Sequence, residues 1–186
     1  KYIGDATMHI HNAPVDDPNH PHTAVETGMR MIEAVEEYSA WLKSQGRPGV
    51  EMGAGINSGV GFCGEMGSTK RHSYDVLGDD VSLTARFESQ CKAYGVLLII
   101  GSDTVRHVEN DFFFLKLDNI VVKGKTEPKQ IYTVFRVPGN KKDDYESHRS
   151  KHNQMHELYL NKKFDQCAKA CVQLKGTFDG KMDLYY

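Results

Sequence analysis

The sequence predicts an α+β sandwich, in which α-helices cover one face of a mainly antiparallel β-sheet. Two long segments with helical periodicity, 23–45 and 79–94, alternate with short apolar or β-branched segments, and glycine or proline residues separate most of them. This alternation is typical of a layered fold around one core. Hydrophobic residues make up 39% of the 186 residues, which is enough apolar material for a sizeable domain.

The first half of the chain contains a hairpin, a long helix and small, glycine-rich strands. Two short β-prone stretches flank Gly4 and Asp5, which predicts a hairpin with Asp5 at its turn. A loop rich in proline and aspartate then leads to the first long helix, which ends at a Gly-Arg-Pro-Gly sequence. Residues 50–57 and 73–77 predict strands, with the glycine-rich segment 58–64 between them.

A second long helix and further strands follow. Asp79 and Asp80 open the helix, where the helix dipole favours carboxylates, and Gly95 follows its last turn as a C′ glycine. The all-apolar segment 96–100 predicts a buried strand, and a short helix comes after it. Additional strands are predicted at 112–117, 120–122 and 130–137.

The C-terminal quarter differs in character from the rest of the chain. Charge and polarity rise over 138–150, which predicts a linker. The apolar spacing beyond it predicts two short helices, a small helical hairpin that is too short to be a domain alone. We therefore expect a main domain at 1–137, a linker at 138–150 and a helical extension at 151–186.

The charge and cysteine patterns exclude several classes of partner. The 23 basic and 25 acidic residues give a formal net charge of −2, which argues against nucleic acid or an anionic membrane surface as the main partner. No apolar run approaches the roughly 20 residues needed to span a bilayer. The four cysteines show neither disulfide-framework nor zinc-type spacing, so we expect a reducing, cytoplasmic setting.

Two predicted turns carry carboxylates. Lys1 and Asp5 lie on either side of the first hairpin turn, and Asp75 ends a strand just before Gly78. If both turns lie at the same end of the sheet, two carboxylates and an ammonium group converge. Carboxylate oxygens suit Mg²⁺ or Mn²⁺, which share one or two protein carboxylates with substrate phosphates. Considered singly, Asp5 is more often a turn residue that accepts its own backbone N–H.

The second helix offers an arginine on a face separate from its apolar positions. Ser82 and Arg86 are four residues apart and therefore share a face. The apolar positions point to another side of the helix: Leu83, Phe87 and Cys91. A guanidinium binds phosphate well because its fork is bidentate and always charged. The alternative for Arg86 is a salt bridge with Glu88 or a solvated face.

A lysine pair lies between two predicted strands. Lys123 and Lys125 flank Gly124, and side chains so placed could reach a triphosphate as point charges. Exposed loop lysines are common, however, and mere solubility is the more frequent reason for them.

Two further patterns have simpler structural explanations. His148, His152 and His156 repeat every four residues and would allow metal capture, but the many charges around them favour an ordinary polar segment. Cys167 and Cys171 lie one helical turn apart, which helix packing explains.

Four motifs occur together in a fixed order. They are K-Y-I-G-D-A, G-I-N-S-G-V-G-F-C-G-E-M-G-S-T-K-R, Y-D-V-L-G-D-D-V-S-L-T-A-R-F-E and V-K-G-K-T-E-P-K-Q-I-Y. In this order they resemble the class III nucleotidyl cyclase catalytic domain over 1–137, which implies a ferredoxin-like βαββαβ sandwich. The tail M-H-E-L-Y-L-N-K-K-F-D-Q-C-A-K-A is similar to the helical extension behind bacterial-type adenylate cyclases.

The resemblance implies a role for most candidate residues. Lys1 and Asp75 match the pair that reads adenine, with Val76 beside them in the substrate-binding set, so the implied substrate is ATP. Asp5 matches one of two metal-binding aspartates. Arg86 matches the arginine that stabilises the transition state.

The remaining positions match less directly. Lys125, and less closely Lys123, match the lysine that binds the triphosphate. Ser82 stands where an asparagine usually orients the ribose, and a serine has one donor where the amide has two. The family's first metal-binding aspartate lies on a strand that would precede Lys1. These two departures keep open a catalytically weak or silent cyclase-like module that dimerises and regulates a partner.

The implied activity is that of an adenylate cyclase. The ribose 3′ oxygen of ATP attacks the α-phosphorus in line, 3′,5′-cyclic AMP forms and pyrophosphate leaves, with two Mg²⁺ or Mn²⁺ ions per site. Because one chain carries Asp5 as well as the base-reading residues and Arg86, the resemblance implies a symmetric homodimer. The sequence begins at Lys1 without a methionine, so we expect an upstream regulatory domain and leave open a membrane anchor in the full protein.

Overall fold

The computed structural model describes residues 1–68, 70–121 and 128–186. A 3₁₀ turn at Gly139–Lys141 and a turn at Thr177–Gly180, in which Phe178 and Asp179 have left-handed backbone (φ +53° and +58°), flank the C-terminal helices. Within the described ranges, no helix is both long and apolar enough to cross a bilayer. The strands and α-helices are β1 (Tyr2–Ile3), β2 (Ala6–Thr7), α1 (His20–Ser44), β3 (Ala54–Ile56), β4 (Phe62–Ser68), β5 (Arg71–Leu77), α2 (Asp79–Tyr94), β6 (Leu98–Gly101), α3 (Ser102–Val108), β7 (Phe113–Ile120), β8 (Lys129–Phe135), α4 (Lys142–Leu160) and α5 (Phe164–Leu174).

A four-stranded sheet forms the centre of the fold. Its strand order is β3-β6-β8-β7, so β3 and β7 are its edge strands. β3 runs parallel to β6, whereas β8 is antiparallel to both of its neighbours. The prediction of a mainly antiparallel sheet is therefore confirmed. One irregularity, between Lys116 and Asp118, interrupts the register of β7 and β8.

Helices pack on both faces of this sheet. On one face, Val25 of α1 and Val105 of α3 share a buried cluster with Leu98 of β6. On the other face, Phe87 of α2 shares a second cluster with Ile99, the next residue of β6. Successive strand residues point to opposite faces, so the two clusters are the two sides of the sheet. The prediction that helices cover one face is wrong, because an all-apolar strand such as β6 needs cover on both.

The C-terminal segment completes the face that α2 only partly covers. Tyr145 of α4 and Phe178 beyond α5 are buried in the same cluster as Phe87. Residues 138–150 do not form the predicted linker, because α4 begins at Lys142. The interpretation failed because α4 exposes most of its charged residues and buries only a few scattered positions: Tyr145, His152, Met155 and His156.

Two histidines of α4 bond to the edge of the sheet. His152 is 0% exposed, and its Nε2 donates to the carbonyl oxygen of Lys116 at 2.6 Å. His156 is also buried, and its Nε2 donates to the carbonyl oxygen of Leu117 at 3.2 Å. The expectation of an ordinary polar segment is therefore wrong at these positions. In the part of the chain that the structure describes, no three histidine, cysteine or carboxylate side chains are grouped to hold a metal ion.

Two hairpins stand apart from the central sheet. β1 pairs with β2 around Gly4 and Asp5, as predicted, and β4 pairs with β5 along their whole length. In the second hairpin Phe62 is 80% exposed, and its cross-strand neighbour Leu77 is 59% exposed. Large apolar side chains clustered at a surface are typical of an interaction site.

Candidate functional site

The two hairpins meet at an ion pair between Lys1 and Asp75. Lys1 lies at the open end of the first hairpin, where its nitrogen donates to the Met8 carbonyl at 2.9 Å and its carbonyl accepts from the Met8 N–H at 2.8 Å. The Nζ of Lys1 donates to Oδ2 of Asp75 on β5. The fold thus brings together two predicted site residues that are 74 positions apart in the chain.

Asp75 is oriented by two donors. Its Oδ1 accepts a hydrogen bond from the Val76 N–H at 2.9 Å, while Oδ2 accepts from Lys1. The Lys1 ammonium, followed by the Val76 N–H, holds the pKa of the Asp75 carboxyl below its ordinary value. Both side chains of the ion pair remain partly exposed. A ligand can therefore reach an ionised acceptor and a cationic donor held side by side.

Asp5 lies at the turn of the first hairpin. Gly4 before it has φ +64°, a left-handed value that glycine adopts without strain. Asp5 is exposed, and its backbone lies roughly 10 Å from the Lys1 end of the hairpin, at about 3.3 Å per residue. A lone carboxylate gives a cation one protein ligand, which is compatible with Mg²⁺ only if a nucleotide or other residues supply further oxygens.

α2 presents Ser82 and Arg86 on its exposed face. The buried face of the helix, which fixes its orientation on the sheet, carries Leu83, Phe87 and Cys91. The helical spacing in the sequence predicted this division correctly. Across residues 1–68, 70–121 and 128–186, Arg86 makes no ion pair, so the alternative pairing with Glu88 is not formed.

The predicted triphosphate lysines, Lys123 and Lys125, lie outside the described residues. The first residue of β8, Lys129, donates to Asp103 Oδ2 at 2.6 Å and so ties the start of this strand to α3.

Sequence reasoning missed two polar contacts of α2. Asn57, just after β3, donates from Nδ2 to Asp80 Oδ1 in a long hydrogen bond of 3.5 Å, and its own Oδ1 is buried without a partner among the described residues. At the other end of the helix, the Tyr94 hydroxyl donates to Asp118 Oδ2 at 2.7 Å. The polar Asn57 inside a glycine-rich motif was a usable signal, whereas nothing in the sequence links Tyr94 to Asp118.

The family of the chain follows from its match to a family model. The model of the adenylate and guanylate cyclase catalytic domain matches residues 1–136. The chain therefore belongs to this family. The family and the fold class expected from the sequence are confirmed.

Three relatives illustrate the similarity. The chain is 34% identical over 147 residues to the terminal-differentiation specific adenylate cyclase of Dictyostelium discoideum, covering 77% of this chain and 7% of that protein. The solved adenylyl cyclase CyaB of P. aeruginosa is 26% identical with a TM-score of 0.62, covering 68% of this chain and 65% of the other. The solved guanylyl cyclase Cya2 is 30% identical with a TM-score of 0.61, covering 71% and 66%. The chain thus spans only a part of each relative.

Proposed function

We propose that this domain converts ATP to 3′,5′-cyclic AMP and pyrophosphate, in a site shared between two copies of the chain. The ion pair between Lys1 and Asp75 is the observation that carries this proposal. It places a donor and an acceptor at one exposed position, and their chemistry matches one purine better than the other.

The choice of base follows from hydrogen-bond chemistry. Adenine offers an exocyclic amine that donates and a ring nitrogen that accepts, whereas guanine offers a carbonyl oxygen at the corresponding exocyclic position. An ionised carboxylate only accepts, and an ammonium group only donates. Asp75 therefore pairs with the adenine amine and Lys1 with the ring nitrogen, while guanine would set its carbonyl oxygen against the carboxylate.

Arg86 and Ser82 act on the phosphate and ribose ends of the substrate. Arg86 is exposed on α2 and free of carboxylate partners among the described residues, so its fork is available for a phosphoryl group. Its charge stabilises the negative charge that grows on the α-phosphoryl group during attack by the 3′ oxygen. Ser82 lies on the same face and donates a hydrogen bond to the ribose.

Asp5 supplies a carboxylate ligand for a divalent cation. Mg²⁺ or Mn²⁺, two ions per site in our proposal, would supply Lewis-acid chemistry at the 3′ hydroxyl and positive charge beside the phosphates. The nucleotide phosphates would supply further oxygen ligands. Lys123 and Lys125 bind the triphosphate as point charges.

A homodimer accounts for the arrangement of these groups. Asp5 lies at the far end of its hairpin from Lys1, and, as the resemblance to nucleotidyl cyclases implies, the metal carboxylate of one chain serves the base-reading pair and Arg86 of the other. The exposed Phe62 and Leu77 of the second hairpin supply apolar contact area for the second copy.

Ser82 favours a second candidate function. A serine in place of the ribose-orienting asparagine is shorter and has one donor, so a weakly active or silent cyclase-like module that dimerises is the alternative. The similarity to a guanylyl cyclase makes GTP the rival substrate that must be tested beside ATP.

The test is a turnover assay on the full-length protein that contains this chain. Purified protein receives ATP or GTP with Mg²⁺ or Mn²⁺, and both cyclic products are quantified by mass spectrometry. We expect cyclic AMP, with kcat/KM for ATP at least about tenfold above that for GTP, since a hydrogen-bonding group that is mispaired once the bound base covers it costs about 1–3 kcal/mol. Asp75→Asn should lose this preference, because an amide both donates and accepts.

Arg86→Ala provides the background. No cyclic AMP above this background with either cation would overturn the enzymatic proposal and leave the silent module. Cyclic GMP as the main product would keep the cyclase assignment but refute the base-reading role of Lys1 and Asp75.

A further inference from the structure

A bulge in the edge strand β7 changes the direction of its later residues. Lys116 pairs with Tyr132 and Asp118 with Ile131, so Leu117 has no partner of its own. Without the bulge, Asp118 would point to the face opposite Leu117. The one-residue shift instead sets Asp118 beside Ile131, on the face that α2 covers.

The C-terminal helical region, residues 138–186, holds this bulge from outside the sheet. His152 donates to the Lys116 carbonyl at 2.6 Å and His156 to the Leu117 carbonyl at 3.2 Å. The Tyr185 hydroxyl adds a second bond to the Leu117 carbonyl at 2.6 Å. A carbonyl oxygen only accepts, so each histidine carries its proton on Nε2. In a regular strand, successive carbonyls point in opposite directions. At the bulge, the carbonyls of Lys116 and Leu117 both accept hydrogen bonds from the C-terminal region.

Asp118, which the bulge turns towards α2, accepts a hydrogen bond from the end of this helix. Its Oδ2 accepts from the Tyr94 hydroxyl at 2.7 Å, and its Oδ1 accepts from the Asn119 N–H at 2.7 Å. Tyr94 is the last residue of α2. The bulge, the carboxylate and the helix end therefore form one continuous set of hydrogen bonds.

The same C-terminal region closes over the residue that follows the helix. Gly95 has φ +62°, and a Cβ placed on it would lie 3.0 Å from the carbonyl carbon of Leu184. Only a glycine lets the two backbones come this close. The end of α2 is thus fixed from the side of β7 and from the side of Leu184.

We propose that Tyr94 and Asp118 are positioning residues for Arg86. Arg86 lies about two turns before Tyr94 on the same helix, and an α-helix transmits a displacement at one end to the other because it is stiff over this length. Their hydrogen bond, held in register by His156 at the bulge, fixes where the guanidinium lies. A misplacement of about 1 Å costs up to about a hundredfold in rate. This inference rests on the proposed cyclase function.

The test removes the bond without removing bulk. In the full-length protein, Tyr94→Phe should lower kcat about tenfold and leave KM for ATP unchanged, because the Arg86 contact strengthens in the transition state. Asp118→Ala should lower kcat equally, and the double variant should fall no further. Asp118→Asn keeps an acceptor for the Tyr94 hydroxyl and should restore kcat to within about twofold of the unmodified protein.

A matched tyrosine serves as the control. Tyr145 is buried in the cluster of Phe87, against which Tyr94 also packs. The Tyr145 hydroxyl donates to Asp179 at 3.0 Å within the C-terminal region. Tyr145→Phe should lower the free energy of unfolding as Tyr94→Phe does, yet leave kcat unchanged. Equal kcat values in both variants would overturn the positioning role.

Hydrogen exchange gives a readout that does not need turnover. Backbone amides of α2 should exchange faster in Tyr94→Phe than in Tyr145→Phe at equal global stability. If exchange in α2 is the same in both variants, Tyr94 does not position the helix, whatever the activity. Absence of product from the unmodified protein, with faster exchange in Tyr94→Phe, would refute the proposed function and retain the fixing of α2.

Discussion

The two exposed hairpins and the β7 edge of the central sheet differ in how far the chain itself covers them. At β7, the free carbonyls of Lys116 and Leu117 accept hydrogen bonds from buried histidines of the same chain. In the β4–β5 hairpin, Phe62 and Leu77 stay exposed. The chain thus covers the sheet edge by itself. It leaves apolar surface exposed on the β4–β5 hairpin, and the two hairpins carry Lys1, Asp5 and Asp75.

This difference indicates where a second molecule belongs. An edge strand with open backbone groups invites wrong pairing, and covering it removes that hazard. An exposed pair of large apolar side chains next to polar site residues has the composition of an interface instead. Apart from the Tyr94–Asp118 hydrogen bond, we therefore expect substitutions at the scaffold to change stability and substitutions at the hairpins and the outer face of α2 to change function.

The largest expected effects come from substituting two neighbouring residues of α2, one of which should change stability and the other activity. Phe87 is 0% exposed, and Phe87→Ala should lower the free energy of unfolding by about 3–5 kcal/mol through loss of buried area and a cavity. Arg86→Ala should instead lower kcat about 100- to 1,000-fold, the size typical of a lost transition-state donor, with little change in stability. Denaturant unfolding and the cyclase assay measure the two. Similar stability losses in both variants would contradict the division of the helix into two faces.

The next largest effect is a loss of folding stability at low pH. Burial lowers the pKa of His152 from 6.5 to about 4, although the bond to the Lys116 carbonyl partly opposes this; the charge of the neighbouring His156 adds to the lowering. The neutral form is favoured in the fold, so the stabilisation is complete above pH 6.5 and is lost as the pH falls towards 4. The loss is at most about 3.5 kcal/mol, since the pKa of His152 falls by about 2.5 and each pKa unit corresponds to roughly 1.4 kcal/mol.

A matched variant isolates this contribution. His152→Gln keeps a nitrogen donor for the Lys116 carbonyl but does not titrate. Thermal unfolding between pH 7 and 4 should show a smaller loss of stability for the variant than for the unmodified protein. Parallel curves would mean that His152 is not the group responsible.

The smallest effect concerns association. Phe62→Ser should weaken the proposed homodimer about tenfold, or about 1.4 kcal/mol, because an exposed apolar side chain is buried only when the second copy binds. Analytical ultracentrifugation over a range of concentrations measures the dissociation constant. Val172→Ser is the control, since Val172 is 70% exposed on α5, a helix that packs against α4. Equal weakening in both variants would locate the interface elsewhere.

Local patterns in the sequence determined much of this protein. The hairpin turn at Asp5, the two faces of α2 and the glycine after its last turn all follow from spacing and from the conformational freedom of single residues. These features depend on residues that are close in the chain, so periodicity and turn chemistry suffice to predict them. The four motifs likewise sufficed to predict the family.

Contacts between distant residues were decided by the tertiary structure alone. The ion pair of Lys1 with Asp75 spans 74 positions, and the bonds of His152 and His156 to β7 span 36 and 39. The sequence could not predict that the region after residue 137 forms part of the core. Its few apolar positions become buried only against one face and the β7 edge of the sheet, and both exist only once β7 and β8 have paired. Burial and polar pairing are properties of packed surfaces, and local patterns of residues along the chain do not show which distant residues will pack together.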